Sequence, residues 1–395
     1  MASISSIVDN KICCGCGACY VACPQCCIEF VYGNRFNYPK IDANKCTGCG
    51  KCLKVCPSAF LLDGTNPGFY DEPMKANYDC YLIHSTDNNI RLDASSGGFI
   101  TGLILHLMNS GLADGGIVAR TQGPNALVAE SFIATNRQAL LDARASKYAP
   151  VSNCIVLAEV IKRPGRYVFV GTPCMIEALT KLKKQIPELN DRIILTIGLV
   201  CAGMPSRQST TNYLKRYGIN PKDARKVCYR GGGWPGSFKV YGDTGLILER
   251  PLLNDELDYL VPCDHYLRCW NCMDHWGRFS DIVVSDPWCD EFVKTETKGR
   301  SAVMIRTESG HKAMALVLAN GEMAADAITI EEMLGYNRHL LIGHHHSRHA
   351  WMGIYQLVFF GRIRNSAAII RSLIQRKGIG LNTTLRVKLD KNYYS

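Results

Sequence analysis

The sequence predicts two folded units in tandem: a small cysteine-rich α+β unit, then a larger α/β domain with a parallel or mixed sheet, ahead of a basic helical tail. Three observations carry this prediction. Two cysteine runs of identical spacing fill the first sixty residues. From Ala94 onward, apolar runs of strand length alternate with stretches of helical periodicity. From Arg348 onward, nine Lys and Arg face Asp390 alone, so the tail supplies about +8 of the formal net charge of +10. The boundaries that follow are a cysteine-rich unit over 1–65, a linker over 66–93, the α/β domain over 94–345 and the tail over 346–395.

Composition narrows the class. A chain of 395 residues suits two or three domains, and its 47% apolar residues can bury a sizeable core. No apolar run reaches the roughly 18 residues that span a bilayer, and the first residues lack the basic-then-apolar pattern of a secretion signal. The expectation is a cytoplasmic protein, where 20 cysteines point to metal or redox chemistry before disulfides. The basic tail suits an acidic partner protein or a membrane surface. With the rest of the chain near neutral, no nucleic acid is expected.

The first run, Cys13, Cys16, Cys19 and Cys23, reads C-x2-C-x2-C-x3-C before Pro24, and Cys46, Cys49, Cys52 and Cys56 repeat it before Pro57. This is the spacing of a two-cluster 4Fe-4S ferredoxin, in which the fourth cysteine of each run ligates the other cluster. Cluster one is therefore assigned to Cys13, Cys16, Cys19 and Cys56, and cluster two to Cys46, Cys49, Cys52 and Cys23. A pair of zinc sites also uses C-x2-C, but two full copies each ending in Cys-Pro favour iron. Cys14, Cys26 and Cys27 are left as packing residues. A hairpin around Gly33-Asn34 joins the two runs, and Asp63 to Pro73 reads as a linker.

In the larger domain, a Ser95-Ser96-Gly97-Gly98 turn precedes an amphipathic helix running toward Gly111, and strands follow at "GGIVAR" and "LVAESFIAT". "YVFVGTPCMIEALTKLKKQI" is a buried strand, a turn at Thr172 to Cys174 and a helix; "RIILTIGLVCAGMPSRQSTTNYLKRYG" repeats that plan, with Ser206 as N-cap. Cys174 and Cys201 thus fall at carboxyl ends of strands, where α/β folds bind ligands. With the Cys269-x2-Cys272 pair they are assigned a third 4Fe-4S cluster, with Cys263 as reserve ligand. The histidines of "GHHHSRH" (Gly343 to His349) read as a polar linker, and no Gly-x-Gly-x-x-Gly fingerprint supports a nicotinamide site.

Taken in order, the ferredoxin runs, "SSGGF", "SKYAP", "GTPC", "CAG", "YRGGGW" and "CWNCMD…SDIVVSDPW" resemble the family of coenzyme F420 hydrogenase/dehydrogenase beta subunits from Cys13 to about Trp288. The resemblance implies an α/β domain that binds FAD beside a 4Fe-4S cluster. It places FAD contacts at Ser95, Ser96, Gly97 and Gly98, at Lys147 and Tyr148, at Thr172, at Arg230 and Trp234, and at Asp281. Here "GGG" follows Arg230 where the family carries a charged residue. The function it implies is an oxidoreductase passing electrons between a two-electron substrate at the flavin, reduced coenzyme F420 first, and one-electron carriers reached through the clusters. A ferredoxin-dependent reductase of an organic substrate, or an electron-transfer subunit of a larger redox complex or polysaccharide-biosynthesis pathway without its own substrate, are the alternatives. No general acid or base is assigned.

Overall fold

A computed structural model describes residues 3–63, 76–252, 264–342 and 393–394. The first unit is built on a hairpin, β1 (Ile28–Tyr32) and β2 (Asn37–Ile41), paired antiparallel with Ile28 opposite Ile41. Short helices flank it at Ile4–Asp9, Ala18–Val21 and Lys51–Lys54. The second and third of these start from Gly17 and Gly50, both left-handed (φ 89° and 70°), a conformation that glycine adopts without steric cost. These turns fold each cysteine run back on itself.

The second unit is an eight-stranded mixed sheet. Its strands are β3 (Asp79–Ser85), β4 (Gly115–Arg120), β5 (Glu130–Ala134), β6 (Tyr167–Gly171), β7 (Ile193–Leu199), β11 (Ile282–Ser285), β12 (Ser301–Ile305) and β13 (Met323–Ile328), in the order β13-β3-β12-β11-β7-β6-β4-β5. The neighbours β11, β7, β6 and β4 run parallel, and the outer pairs are antiparallel. Inner strands such as β6 and β12 are buried at every position, which is why their sequences read as unbroken apolar runs. Helices Phe99–Asn109 and Glu308–Ala319 cover one face around Leu103, Val168, Ile197 and Val317. Helices Leu157–Lys162 and Pro173–Lys183 cover the other, and there Cys14, Cys16, Ala18, Ala22 and Val55 of the first unit join the same core. The two units therefore share buried apolar surface.

A third layer, the small antiparallel sheet β8 (Lys226–Cys228), β9 (Ser237–Gly242) and β10 (Gly245–Pro251), packs on helix Arg207–Arg216. Thr121, just past the end of β4, donates its hydroxyl to the Val227 carbonyl at 2.6 Å, so this sheet stands at the carboxyl end of the parallel strands. Ser206 caps its helix by accepting from the Ser209 amide, as the sequence predicts.

One boundary differs from expectation. The linker assigned to 66–93 extends too far, because β3 occupies an interior position between β13 and β12. Its sequence, DCYLIHS, is short and mixed in polarity; its backbone partners lie more than two hundred residues away, beyond the reach of a local pattern. The Asp63–Pro73 segment lies outside the described residues except for Asp63, and the His-rich stretch and most of the tail lie outside them as well. Tyr393 and Tyr394 are described, and both are buried against Phe36, Tyr38 and Tyr266. Among the described residues no helix is long and apolar enough to cross a membrane.

Candidate functional site: three groups of thiols and an arginine hub

In the first group, Cys13, Cys16, Cys19 and Cys56 are all buried. Burial raises the Cys19 thiol, and the nearby Cys13, Cys56 and Cys52 raise it further. Backbone amides point at the sulfurs: Gly15 donates to Cys13 at 3.3 Å and Ser58 to Cys56 at 3.4 Å. Gly15 is left-handed (φ 68°), and a Cβ there would collide with the Tyr266 hydroxyl. Burial pushes the Cys13 thiol up to about 12 and the Cys56 thiol up to about 11. Bound iron inverts this, since a coordinating thiol is deprotonated outright. A donor set of crowded buried thiols with amides aimed at their sulfurs fits an iron–sulfur cluster.

The second group rings a cavity of about 290 Å³ lined by Cys23, Cys27, Cys46, Cys49 and Cys52, with Gly48 and Gly50 in its wall. Among the described residues no three His, Cys, Asp or Glu side chains converge on a single ion; the thiols enclose a volume instead. Cys27, read from sequence as a packing residue, is buried and stands 3.3 Å, sulfur to sulfur, from Cys23. Its only sequence signal was position, one residue ahead of β1.

The third group lies beyond the carboxyl ends of β6 and β7. Cys269, Cys174 and Cys272 lie near enough to Cys201 to raise its thiol further after burial, so the four residues assigned together from sequence are neighbours. The Met204 amide donates to Cys269 at 3.4 Å, and the Thr172 hydroxyl is 3.2 Å from the Cys174 sulfur. Cys263 lies outside the described residues. Cys14 sits between the first and third groups, its thiol facing both Cys16 and Cys174. Arg268 is buried behind them and donates to the Ser58 hydroxyl at 3.0 Å and the Pro57 carbonyl at 3.3 Å, pinning the loop after Cys56 to the third group.

Past the third group, Arg230 is the hub of the same end of the sheet. Its side chain is fully buried and makes four contacts: Asp286 Oδ2 at 2.8 Å, Tyr148 Oη at 3.2 Å, the Ser95 carbonyl at 2.6 Å and the Pro235 carbonyl at 2.7 Å. The guanidinium lies 5.3 Å from the Trp288 ring, which packs 5.2 Å from Trp234. Around it two buried polar atoms, Trp234 Nε1 and Ser285 Oγ, find no partner among the described residues. Orphaned buried donors of this kind call for a polar ligand or water.

Other residues assigned to the flavin take different places. The Ser95 hydroxyl bonds Ser146 and the Ser96 hydroxyl bonds Ser301, so both are committed inside the protein. The Gly97 amide also donates to Ser301, and a Cβ on Gly97 would run into the Ile83 carbonyl. The Lys147 amine donates to the carbonyls of Ala143, Arg144 and Ala145 and so fastens its own loop rather than offering a free charge. Asp281 is at the opposite end of the sheet. It precedes β11, accepts from the Thr196 amide and hydroxyl at 2.8 and 2.7 Å, and accepts from the Thr307 hydroxyl at 2.6 Å. Sequence pattern could not tell the two ends of "DIVVSD" apart; Asp286, not Asp281, reaches the site. Asp281→Ala should cost about 1–3 kcal/mol through the lost charged acceptor and leave iron content unchanged, as a denaturant melt beside an iron assay will show.

Burial lowers the Lys147 ammonium to about 7. The unfolded chain, with an ordinary lysine near 10.4, then binds more protons than the folded one between those values, and stability falls as pH drops from about 10 to about 7. Lys147→Met should flatten that part of the stability–pH curve, measured by urea melts at pH 7, 8.5 and 10.

Thiol groups folded onto a mixed α/β sheet define an iron–sulfur electron-transfer protein of the oxidoreductase class. Similarity to known proteins narrows the kind. Residues 80–158 match the N-terminal and residues 165–331 the C-terminal family model for the coenzyme F420 hydrogenase/dehydrogenase beta subunit, and residues 6–61 and 38–98 match 4Fe-4S dicluster domains. The chain belongs to the family of coenzyme F420 hydrogenase/dehydrogenase beta subunits. It is 24% identical to one of the subunits of the F(420)H(2) dehydrogenase of Methanosarcina mazei, over 77% of this chain and 85% of that protein. It is 25% identical to the coenzyme F420-dependent sulfite reductase of Methanocaldococcus jannaschii, over 84% of this chain and 49% of that protein. Its fold matches a chain of the F420-reducing [NiFe] hydrogenase complex of Methanosarcina barkeri with a TM-score of 0.53 at 21% identity, covering 68% of this chain and 91% of that one.

Proposed function

We propose that the protein is an FAD- and iron–sulfur-dependent oxidoreductase that passes electrons between reduced coenzyme F420 and one-electron carriers. FAD, when bound, exchanges two electrons with an organic substrate and single electrons with clusters. The observation that carries this reading is the unbroken sequence of thiols. It runs from the Cys46 cavity through Cys52 and Cys19 to Cys13, across Cys14 to Cys174, and on to Cys201 at the carboxyl end of β7, where Arg230 and Asp286 stand.

Each residue then has a task. The twelve cysteines assigned from sequence hold three 4Fe-4S clusters. The Arg230 guanidinium, fixed by Asp286, supplies a buried positive charge beside Trp288 and Trp234, and the Trp234 indole offers its free donor to the bound ring system. Gly98, left-handed at the start of helix Phe99–Asn109, leaves the first amides of that helix to meet a phosphate group. Tyr148 acts through Arg230 as a positioning residue.

The test is anaerobic. Purified protein should hold about twelve iron atoms and FAD, and should bleach a one-electron acceptor when given reduced coenzyme F420. A protein holding the clusters and flavin but inert to that coenzyme points to another organic substrate, with ferredoxin as the donor. The named relatives include subunits of assemblies, which favours a redox partner docked on the first unit. Co-purification of a stable complex that alone is active marks the chain as an electron-transfer subunit.

A further inference from the structure

The cavity of the second group has one thiol more than a cluster needs. Cys23, Cys27, Cys46, Cys49 and Cys52 all line it, and Cys27 faces Cys46 as well as Cys23. Ligands of one 4Fe-4S cluster each bind a different iron, so two of their sulfurs cannot rest in contact. At 3.3 Å, Cys23 and Cys27 therefore point at a single corner. The loop between them is shaped for this. Cys26 adopts a left-handed conformation (φ 47°), uncommon for a residue with a side chain, and is exposed, while the residues on either side of the loop turn inward. The Cys26 amide bonds the Cys23 carbonyl at 3.2 Å, and the Asp42 amide bonds the Cys27 carbonyl at 2.8 Å. Cys27 is thus anchored to the hairpin rather than to the cysteine run, and is 4% exposed.

We propose that Cys23 and Cys27 are interchangeable ligands to one iron of the second cluster, so that this site keeps its fourth thiolate when either is lost or oxidised. The proposal rests on the reading of the cavity as a cluster site. It goes beyond the repeated motif, which assigns that corner to Cys23 alone.

The experiment compares wild type, Cys23→Ala, Cys27→Ala and Cys23→Ala/Cys27→Ala, purified anaerobically, by iron and sulfide content and by low-temperature electron paramagnetic resonance of the reduced protein. Both single variants should keep about twelve iron atoms, and the double variant about eight. Cys23→Ala should also show the second cluster at a shifted reduction potential, because the new ligand brings different amide contacts. Loss of about four iron atoms in Cys23→Ala alone overturns the proposal, and that arm decides even if the double variant does not fold. Full iron in the double variant overturns it as well. Wild-type protein lacking the iron of both ferredoxin clusters overturns the cluster reading itself, and the proposal with it.

Discussion

Arg230→Met should lower stability by about 3–5 kcal/mol, the cost of breaking a buried ion pair from one side, and should abolish the FAD binding proposed there. The guanidinium is fully buried, whereas Asp286 keeps 15% of its side-chain exposure, so the effect should fall toward the lower part of that range. Methionine preserves much of the volume, so the loss is chemical: Asp286 is left without its cation, and the carbonyls of Ser95 and Pro235 lose their donors. Ser95 and Pro235 sit in separate segments that Arg230 joins to Asp286, so the stretch from 230 to 236 should loosen together. The measurement is a denaturant melt with FAD content read on the same preparation. The iron content should be unchanged, since the four contacts of the guanidinium go to oxygens and not to thiols. Arg230→Lys should restore part of the stability but little flavin, because a lysine cannot reach four acceptors in a fork.

The second large effect is expected at the other end of the electron path. Cys201→Ser should lower the iron content by about four atoms per chain and disconnect the proposed flavin site from the ferredoxin unit. Flavin bleaching by the organic substrate should persist, while reduction of a one-electron acceptor falls to background. Iron assay, stopped-flow bleaching and steady-state turnover separate the two. A variant that loses both half-reactions places the third thiol group in binding the flavin end rather than in connecting it. Cys269 and Cys272 should behave alike, as both lie near Cys201.

How much of this was legible in the sequence varies with the range of the signal. Glycine-punctuated cysteine runs are local and strong, because a cluster's small size forces its ligands into a short stretch of chain. The parallel strands of the core were legible as apolar runs, since both of their faces are buried. The grouping of Cys174, Cys201, Cys269 and Cys272 was within reach because two of them follow strand ends and two form a C-x2-C pair. Asp286 was not within reach: Asp281 and Asp286 flank one strand, and only sheet direction says which end bears the site. The internal bonds of Lys147 and of the serines of the Ser95 turn were not legible either, for a buried polar side chain bonds whatever carbonyl or hydroxyl the fold brings near.

The sequence by itself determined the two kinds of unit, the iron–sulfur chemistry of the first, and the end of the sheet at which the second should act. Tertiary structure alone decided the rest. It put β3 inside the sheet, brought Cys14 between two thiol groups, and set Cys27 against Cys23. It also joined Arg230 to Asp286, 56 residues apart in the chain. Local patterns record what each backbone segment prefers, whereas these pairings come from packing distant segments into one buried volume, where every polar group must find a partner.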